Sequence, residues 1–238
     1  MNNDVKTNNK NELYDFLKIP DGDFINGHFS CFTKGLMYAR EATGRNSKTG
    51  QSQEYAKHLN ISGALGYFAL LEQIGNCLKP KSSLIYDTHQ NNIHKALHYF
   101  STLSNDDIFV IRALRNTFSH DFSLYGTKKS TNKNLLHHFK LVFSDTEPLL
   151  LLRTAEWDGE LNTKNENNRT VVNLEKLCNL IDKICADVQE MAKENELEIV
   201  LKGGFKEYYD RYSINIRLNV QLIESSETEI KIIQVKKE

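Results

Sequence analysis

The sequence predicts a mixed α+β protein that is mainly α-helical, and two kinds of hydrophobic periodicity indicate this class. From about residue 24 to residue 118, apolar residues recur every three to four positions, which is the spacing of buried helix faces. Two later stretches, about 137–157 and 214–235, alternate apolar and polar residues instead, which is typical of strands. We therefore expect a helical body that carries small β elements.

Four helices are expected in the first half of the chain. They are about residues 24–42, 51–79 and 90–103, and a fourth that follows the polar cap 104–107 and continues to Phe118. The connections between them are short, which favours antiparallel packing in a helical bundle.

The second of these helices contains three glycines, Gly63, Gly66 and Gly75. Each glycine inside a helix costs about 1 kcal/mol relative to alanine. We therefore expect neighbouring helices to approach closely at these positions.

Two β elements are expected after the bundle begins. The alternation within 137–157 predicts an inserted β-hairpin whose two strands are joined by the turn 145–148. A polar loop over 158–169 follows, and then Asn173 caps a long amphipathic helix. Its apolar stripe comprises Leu174, Leu177, Cys178, Ile181, Ile184, Cys185, Val188 and Met191.

The C-terminal part is expected to form a second hairpin from 214–222 and 230–235, with 197–201 as an optional third strand. The resulting division is a flexible arm at 1–11, a helical domain at 12–196 and a small β extension at 197–238. The inserted hairpin lies within the helical domain.

Composition limits the classes of function. Lys and Arg number 30 against 31 Asp and Glu, so a globally basic nucleic-acid coat is excluded while a local basic patch is not. No apolar run approaches the roughly 20 residues of a membrane helix, and the first residues are polar without an apolar signal region. We expect a cytoplasmic protein that does not enter a membrane. Its four cysteines form no CxxC pair, so we expect buried reduced thiols and no disulfide scaffold, metal or cofactor.

The most informative motif lies at the end of the fourth helix, where Arg115 and Asn116 precede His120 in the pattern R-N-x-x-x-H. This pattern, late in a helical bundle, resembles the HEPN superfamily. The resemblance covers the organisation of about residues 24–195, although the motif itself spans only six residues. It implies a HEPN-like antiparallel bundle, a metal-independent endoribonuclease and a homodimer in which two copies of the motif face one cleft.

These residue types suit RNA cleavage without a metal ion. Histidine titrates near neutral pH, so His120 can serve as general base or acid for the ribose 2′-OH. Arg115 stays protonated and presents a planar fork to phosphate oxygens. Asn116 can orient His120 or bind phosphate. The resemblance implies products with a 2′,3′-cyclic phosphate and a 5′-hydroxyl.

Helix geometry restricts how the motif can work. Five residues turn through about 500° on an ideal helix, so Arg115 and His120 lie roughly 140° apart. Either the helix ends or bends between Asn116 and Ser119, or the two residues act across a dimer. Thr117 and Ser119 are weak helix formers and favour a break.

A local basic segment follows the motif. Residues 122–144 contain no Asp or Glu, and they carry Lys128, Lys129, Lys133 and Lys140. We expect Lys128, Lys129, Lys133 and Arg112 to bind RNA. The alternative is a solvated loop over 126–134 that leads into a strand.

Three other features are weaker. His94 and His98 have the spacing of a metal pair, but core or surface histidines are the favoured interpretation. The loop 43–50 has the composition but not the order of a phosphate loop, and we keep RNA contact by Arg40, Arg45 and Lys48 open. Glu72 either pairs with Arg115 or faces solvent.

This sequence departs from the pattern of one HEPN subset. That subset has a tyrosine two residues after the histidine, which its antitoxin modifies, whereas position 122 is Phe in this chain. Its regulation and its nucleotidyltransferase partner are therefore not carried over.

The expected function is a HEPN-type endoribonuclease in a toxin or antiphage setting, with RNA and an antitoxin or other partner protein as partners. Two alternatives stay open. The chain is either a non-catalytic HEPN-like module that binds RNA or protein, or an unrelated helical interaction protein in which the motif is coincidental.

Overall fold

The computed structural model describes residues 12–20, 27–53, 61–85, 90–121, 123–126 and 136–216, and it has mixed α+β structure. The described helices are α1 (Glu12–Leu17), α2 (Cys31–Ala42), α3 (Ile61–Cys77), α4 (Asn92–Phe100), α5 (Asn105–Asp121), α6 (Leu174–Lys193) and α7 (Gly204–Tyr212). The described strands are β1 (Gly27–Ser30), β2 (Leu78–Pro80), β3 (His138–Val142), β4 (Leu150–Leu151), β5 (Arg169–Asn173), β6 (Leu197–Ile199) and β7 (Ser213–Ile216).

Helix α3 is the central element of the core. It packs against α2, α4, α5 and α6. Its fully buried side chains include Tyr67, Leu71 and Ile74. Because α3 has neighbours on several sides, nearly all of its surface is apolar or made of small residues.

The expected close approach at the α3 glycines is confirmed. A Cβ atom on Gly75 would lie 1.8 Å from the carbonyl oxygen of Asn92, at the start of α4. A Cβ atom on Gly63 would lie 2.6 Å from Cγ2 of Thr43, and one on Gly66 would lie 3.2 Å from Cβ of Ala39. Glycine therefore brings α2 and α4 against the two ends of α3.

Two predicted helices are shorter than expected because strands adjoin them. The first begins at Cys31, because the side chain of Ser30 caps it by accepting from the backbone N–H of Thr33 at 3.0 Å. The residues before it form β1, which pairs antiparallel with β7. The second helix ends at Cys77, because β2 follows and pairs antiparallel with β6.

The prediction of an inserted hairpin is wrong, because β3 and β4 are not neighbours in the sheet. Strand β5 lies between them, parallel to β3 and antiparallel to β4. Val172 of β5 is fully buried, and the side chain of Asn173 holds the preceding turn by donating to the carbonyls of Ser144 and Glu147 at 2.6 and 3.1 Å. Asn173 also caps α6 as predicted, so one residue fixes both the sheet and the helix.

The C-terminal prediction is largely outside the described residues. Of the predicted hairpin, only β7 is described, and it pairs with β1. The optional third strand exists as β6, but its partner is β2. The arm at 1–11 also lies outside the described ranges. Within those ranges, no helix combines the length and the apolar character needed to cross a membrane.

A buried ion pair joins α2 to α6. Arg40 binds Asp182 through two hydrogen bonds, Nε to Oδ1 at 2.7 Å and Nη2 to Oδ2 at 2.8 Å. Only 6% of the Arg40 side chain and 18% of the Asp182 side chain are exposed. Tyr67 of α3 donates its hydroxyl to Asp182 at 3.2 Å, so the pair contacts three helices.

We predict that Asp182→Asn lowers the free energy of unfolding by about 3 kcal/mol, because it leaves the buried Arg40 without a counter-charge. Urea unfolding measures the change. Asp187→Asn is the matched control on the same helix, since its partner Lys183 is exposed and such surface pairs contribute at most about 0.5 kcal/mol. Equal effects of the two variants would contradict this role of Asp182.

Candidate functional site

Helix α5 carries the predicted motif, and the cap at its start is the predicted one. The hydroxyl of Ser104 accepts from the backbone N–H of Asp107 at 3.2 Å. The buried face of α5 is also the predicted one: it comprises Ile108, Ile111, Leu114 and Phe118. Packing of this stripe against the core sets the rotation of the helix, and that rotation leaves Arg115 and Asn116 partly exposed.

The helix is unbroken through the motif. It runs to Asp121, and the hydroxyl of Thr117 donates to the carbonyl of Leu114 at 2.8 Å within the helix. The expected break between Asn116 and Ser119 is therefore wrong. The Cα positions of Arg115 and His120 lie about 140° apart around one axis. The side chain of His120 lies outside the described part of the structure.

Arg115 is held by two neighbours. Its Nη2 forms an ion pair with Oε1 of Glu72 on α3, and its Nη1 donates to Oδ1 of Asn116 at 3.2 Å. About 25% of the Arg115 side chain and 33% of the Glu72 side chain are exposed. Of the two alternatives for Glu72, pairing with Arg115 is the one found. Asn116 orients the arginine, a role that the sequence did not indicate.

Glu72 also lines a cleft of about 710 Å³ between α2, α3 and the C-terminal end of α7. Small and apolar residues form most of its wall, and the polar side chains of Asn76, Arg211 and Tyr212 lie at one part of it. The carboxylate that positions Arg115 is therefore shared between the motif and this cleft.

Arg112, a predicted RNA-binding residue, is half-buried beside α4. Its Nε is buried and makes no hydrogen bond in the described structure. Its positive charge helps to lower the pKa of His94, although burial of the imidazole is the larger cause. Arg112 therefore faces the α4–α5 contact more than an open surface. Lys128, Lys129 and Lys133 lie outside the described residues.

The histidines of the basic segment are packed inside. The ring of His138 stacks on Tyr125 with centroids 5.0 Å apart, and its Nδ1 lies 3.3 Å from Oδ1 of Asn168. Burial lowers the pKa of His138, and the charges of Arg169 and Lys164 lower it further. The imidazole is therefore neutral at pH 7 and adds nothing to the positive charge of this region.

The loop 43–50 does not fit a phosphate site, because its arginine belongs to the core. Arg45 is buried and donates to Oδ1 of Asn179 at 2.6 Å and to the carbonyl of Glu175 at 3.4 Å. Arg40 donates to the carbonyls of Ser47 and Lys48 and also binds Asp182. The possibility, kept open from the sequence, that Arg40 and Arg45 contact RNA is therefore wrong. Both arginines are buried and connect the loop to α6.

His94 and His98 face different surroundings. His94 is buried with its ring 5.1 Å from that of Phe109, edge to face, whereas His98 is exposed. In the described ranges, no group of three or more His, Cys, Asp or Glu side chains is placed to hold a metal ion. All four cysteines are free thiols, and burial raises the pKa of Cys178 to about 12.

The chain matches no family model, no curated protein and no solved structure. The resemblance to the HEPN superfamily therefore stays a prediction that depends on the motif and its helical surroundings.

We predict that acidification below about pH 6.5 destabilises the protein partly through His94. Its folded pKa lies below the ordinary value, so the unfolded chain binds more protons and stability falls as the pH falls. Urea unfolding at pH 7.5 and pH 5.5 should show a smaller loss for His94→Gln than for the wild type. His98→Gln is the comparison on the same helix: its charge is a smaller cause of the His94 shift than burial is, so it should change the pH dependence less than His94→Gln does. An unchanged pH dependence in His94→Gln would exclude this contribution.

Proposed function

We propose that this protein is a metal-independent endoribonuclease of HEPN type that cleaves RNA by attack of the ribose 2′-OH, in a toxin or antiphage-defence role. The observation that carries the proposal is the arrangement of Arg115. Its guanidinium is partly exposed on an unbroken helix, and Glu72 and Asn116 orient it. His120 follows five residues later on the same helix.

Arg115 is suited to hold the scissile phosphate. A guanidinium has five N–H donors, and the contacts to Glu72 and Asn116 leave donors for a ligand. Because these two side chains restrict the arginine in advance, phosphate binding costs less conformational entropy. As negative charge builds on the phosphate oxygens in the transition state, the fixed cation stabilises it.

His120 is the proposed proton-transfer residue. One base removes the proton of the 2′-OH, the 2′ oxygen attacks phosphorus, and the bond from phosphorus to the 5′ oxygen breaks. One acid gives the leaving 5′ oxygen a proton. The products are a 2′,3′-cyclic phosphate and a 5′-hydroxyl, and no metal ion or cofactor enters the step. In each site His120 serves as the base or as the acid, and a water molecule carries the other proton.

The unbroken helix supports a site shared between two chains. The Cα positions of Arg115 and His120 lie about 140° apart around α5. Arg115 is turned toward its own α3 through Glu72. A symmetric dimer that packs two α5 helices together can bring Arg115 of one copy to His120 of the other.

A second candidate is a non-catalytic HEPN-like module that binds RNA or a protein such as an antitoxin. The observation in its favour is the same ion pair. Because Arg115 is already paired with Glu72 and Asn116, its role can be purely structural, which is to hold α3 against α5. In that case the partly exposed surface of α5 is a binding surface without chemistry.

The first prediction from this proposal is cleavage of RNA in EDTA by the wild-type protein, with cyclic-phosphate ends. Arg115→Ala and His120→Ala should each lower the rate about a hundredfold or more, because each removes a group that acts in the transition state. His98→Ala is a matched control that removes an exposed histidine. Intact RNA at high excess of wild-type protein would instead favour the binding module.

A second prediction tests the shared site by mixing the two inactive variants. In a symmetric dimer with two shared sites, pairing Arg115→Ala with His120→Ala puts both changes into one site and leaves the other intact. Coexpression at equal levels should therefore restore about a quarter of wild-type activity, since about half of the dimers are mixed. If each site lies within one chain, every site carries one change and the mixture stays inactive.

A further inference from the structure

The small sheet that follows the motif helix has one face turned to solvent. Phe139, Leu141 and Val172 pack into the core. Because side chains alternate along a strand, Lys140 of β3 and Arg169 and Val171 of β5 lie on the opposite face. Lys140 is level with Val171, and Arg169 is level with His138.

Three cations from separate parts of the chain meet on this face. Lys140, Arg153 and Arg169 line a shallow groove of about 410 Å³, together with apolar side chains that include Val171 and Leu151. The strand order brings them together, since β5 lies between β3 and β4 and Arg153 follows β4 by two residues.

These cations are poorly neutralised. Within the described ranges Lys140 is exposed and forms no ion pair. A guanidinium N–H of Arg153 donates to the backbone carbonyl of Leu136, so a neutral group holds it in place. Burial lowers the pKa of Arg153, and the charge of Glu156 compensates only in part.

The charge and the N–H donors of Arg169 are also only partly satisfied. Its only carboxylate partner among the described residues is Glu166, whose side chain is 75% exposed, and such surface pairs contribute little. Its Nε is buried without a hydrogen-bond partner in the described structure. Glu147 and Glu166 also line the groove, and Glu156 lies near Arg153 outside this lining, so the cations outnumber the carboxylates of the groove itself and a polyanion can displace the exposed Glu166.

The groove is connected to the motif helix by a short stretch of chain. Residues 123–126 follow α5 and lie along the edge of β3, where Phe139 N–H donates to Leu124 and Gly126 N–H donates to His137, both at 2.7 Å. Lys164 lies over the ring of Tyr125 at 5.5 Å. Lys164 therefore adds a cation beside the segment that follows α5, and it acts on His138 together with Arg169.

We infer that this groove binds the phosphate backbone of single-stranded RNA, with Lys140, Arg153 and Arg169 as the contacts. The inference rests on the proposed function for the identity of the polyanion and extends it by naming where the strand lies beyond the cleaved bond. Phosphate contacts fix the position of a strand without reading its sequence. The groove therefore adds affinity that is independent of sequence and depends on salt.

The test measures binding of a labelled, non-cleavable 2′-O-methyl RNA of about 20 nucleotides by fluorescence anisotropy between 50 and 200 mM KCl, spanning the range over which phosphate contacts weaken. Lys140→Ala and Arg169→Ala should each raise Kd about threefold to tenfold, equally for two unrelated sequences. The double variant should lower the slope of log K against log salt by about 1.4, or 0.7 per contact for a single strand. Lys202→Ala, an exposed lysine that does not line the groove, is the matched control and should leave Kd unchanged.

The outcomes separate this inference from the proposed function. Unchanged RNA binding in the double variant, or no binding by the wild type, overturns the groove as an RNA contact, and retained cleavage would then leave the nuclease proposal intact. Binding that depends on the groove, without cleavage of any RNA by the wild type, overturns the nuclease and supports the groove. A dinucleotide substrate, which is too short to reach the groove, gives the internal check: Arg115→Ala should abolish its cleavage, whereas Lys202→Ala should not change it.

Discussion

The ion pair between Arg40 and Asp182 is the interaction on which the helical body depends. A bidentate pair taken out of water tolerates little change in distance or angle, since any misfit leaves a buried charge unpaired. It therefore fixes α2 relative to α6, and Tyr67 adds α3 to the same contact. Gly50 closes against it, because a Cβ atom there would lie 2.5 Å from Oδ2 of Asp182. The loop 43–50, which has the composition of a phosphate site, therefore has a structural role in this contact.

Fixing α3 in turn fixes the candidate site. Gly75 and Gly63 bring α4 and α2 against α3, and α5 packs on it through Phe68 and Phe118, whose ring centroids are 6.3 Å apart. Glu72 then lies where it meets Arg115. The position of the motif arginine therefore follows from packing several residues away, and a change in the core would reach the site through Glu72.

Local patterns predicted local structure well and long-range pairing poorly. The buried stripe of α5, the Asn173 cap and the close contacts at the glycines could be predicted, because each depends on residues a few positions apart or on one unusual residue type. The place of β5 between β3 and β4 could not, because two alternating segments joined by a turn favour a hairpin and nothing local indicates a third strand. Pairing of Glu72 with Arg115 was one of two alternatives, and only the helix packing decides between them.

The unbroken helix changes the meaning of the motif spacing. If α5 ended before His120, five residues would be a convenient distance for two groups that share one site in one chain. On a continuous helix the same spacing separates their Cα positions by about 140° around the helix axis. Arg115 already has partners in its own chain, since Glu72 and Asn116 satisfy part of its hydrogen-bonding capacity. A second copy of the chain can supply His120 to the Arg115 of the first, which is the shared site that the mixed-variant experiment tests. The homodimer that the resemblance implies is therefore one arrangement that can bring the two residues of the proposed chemistry together.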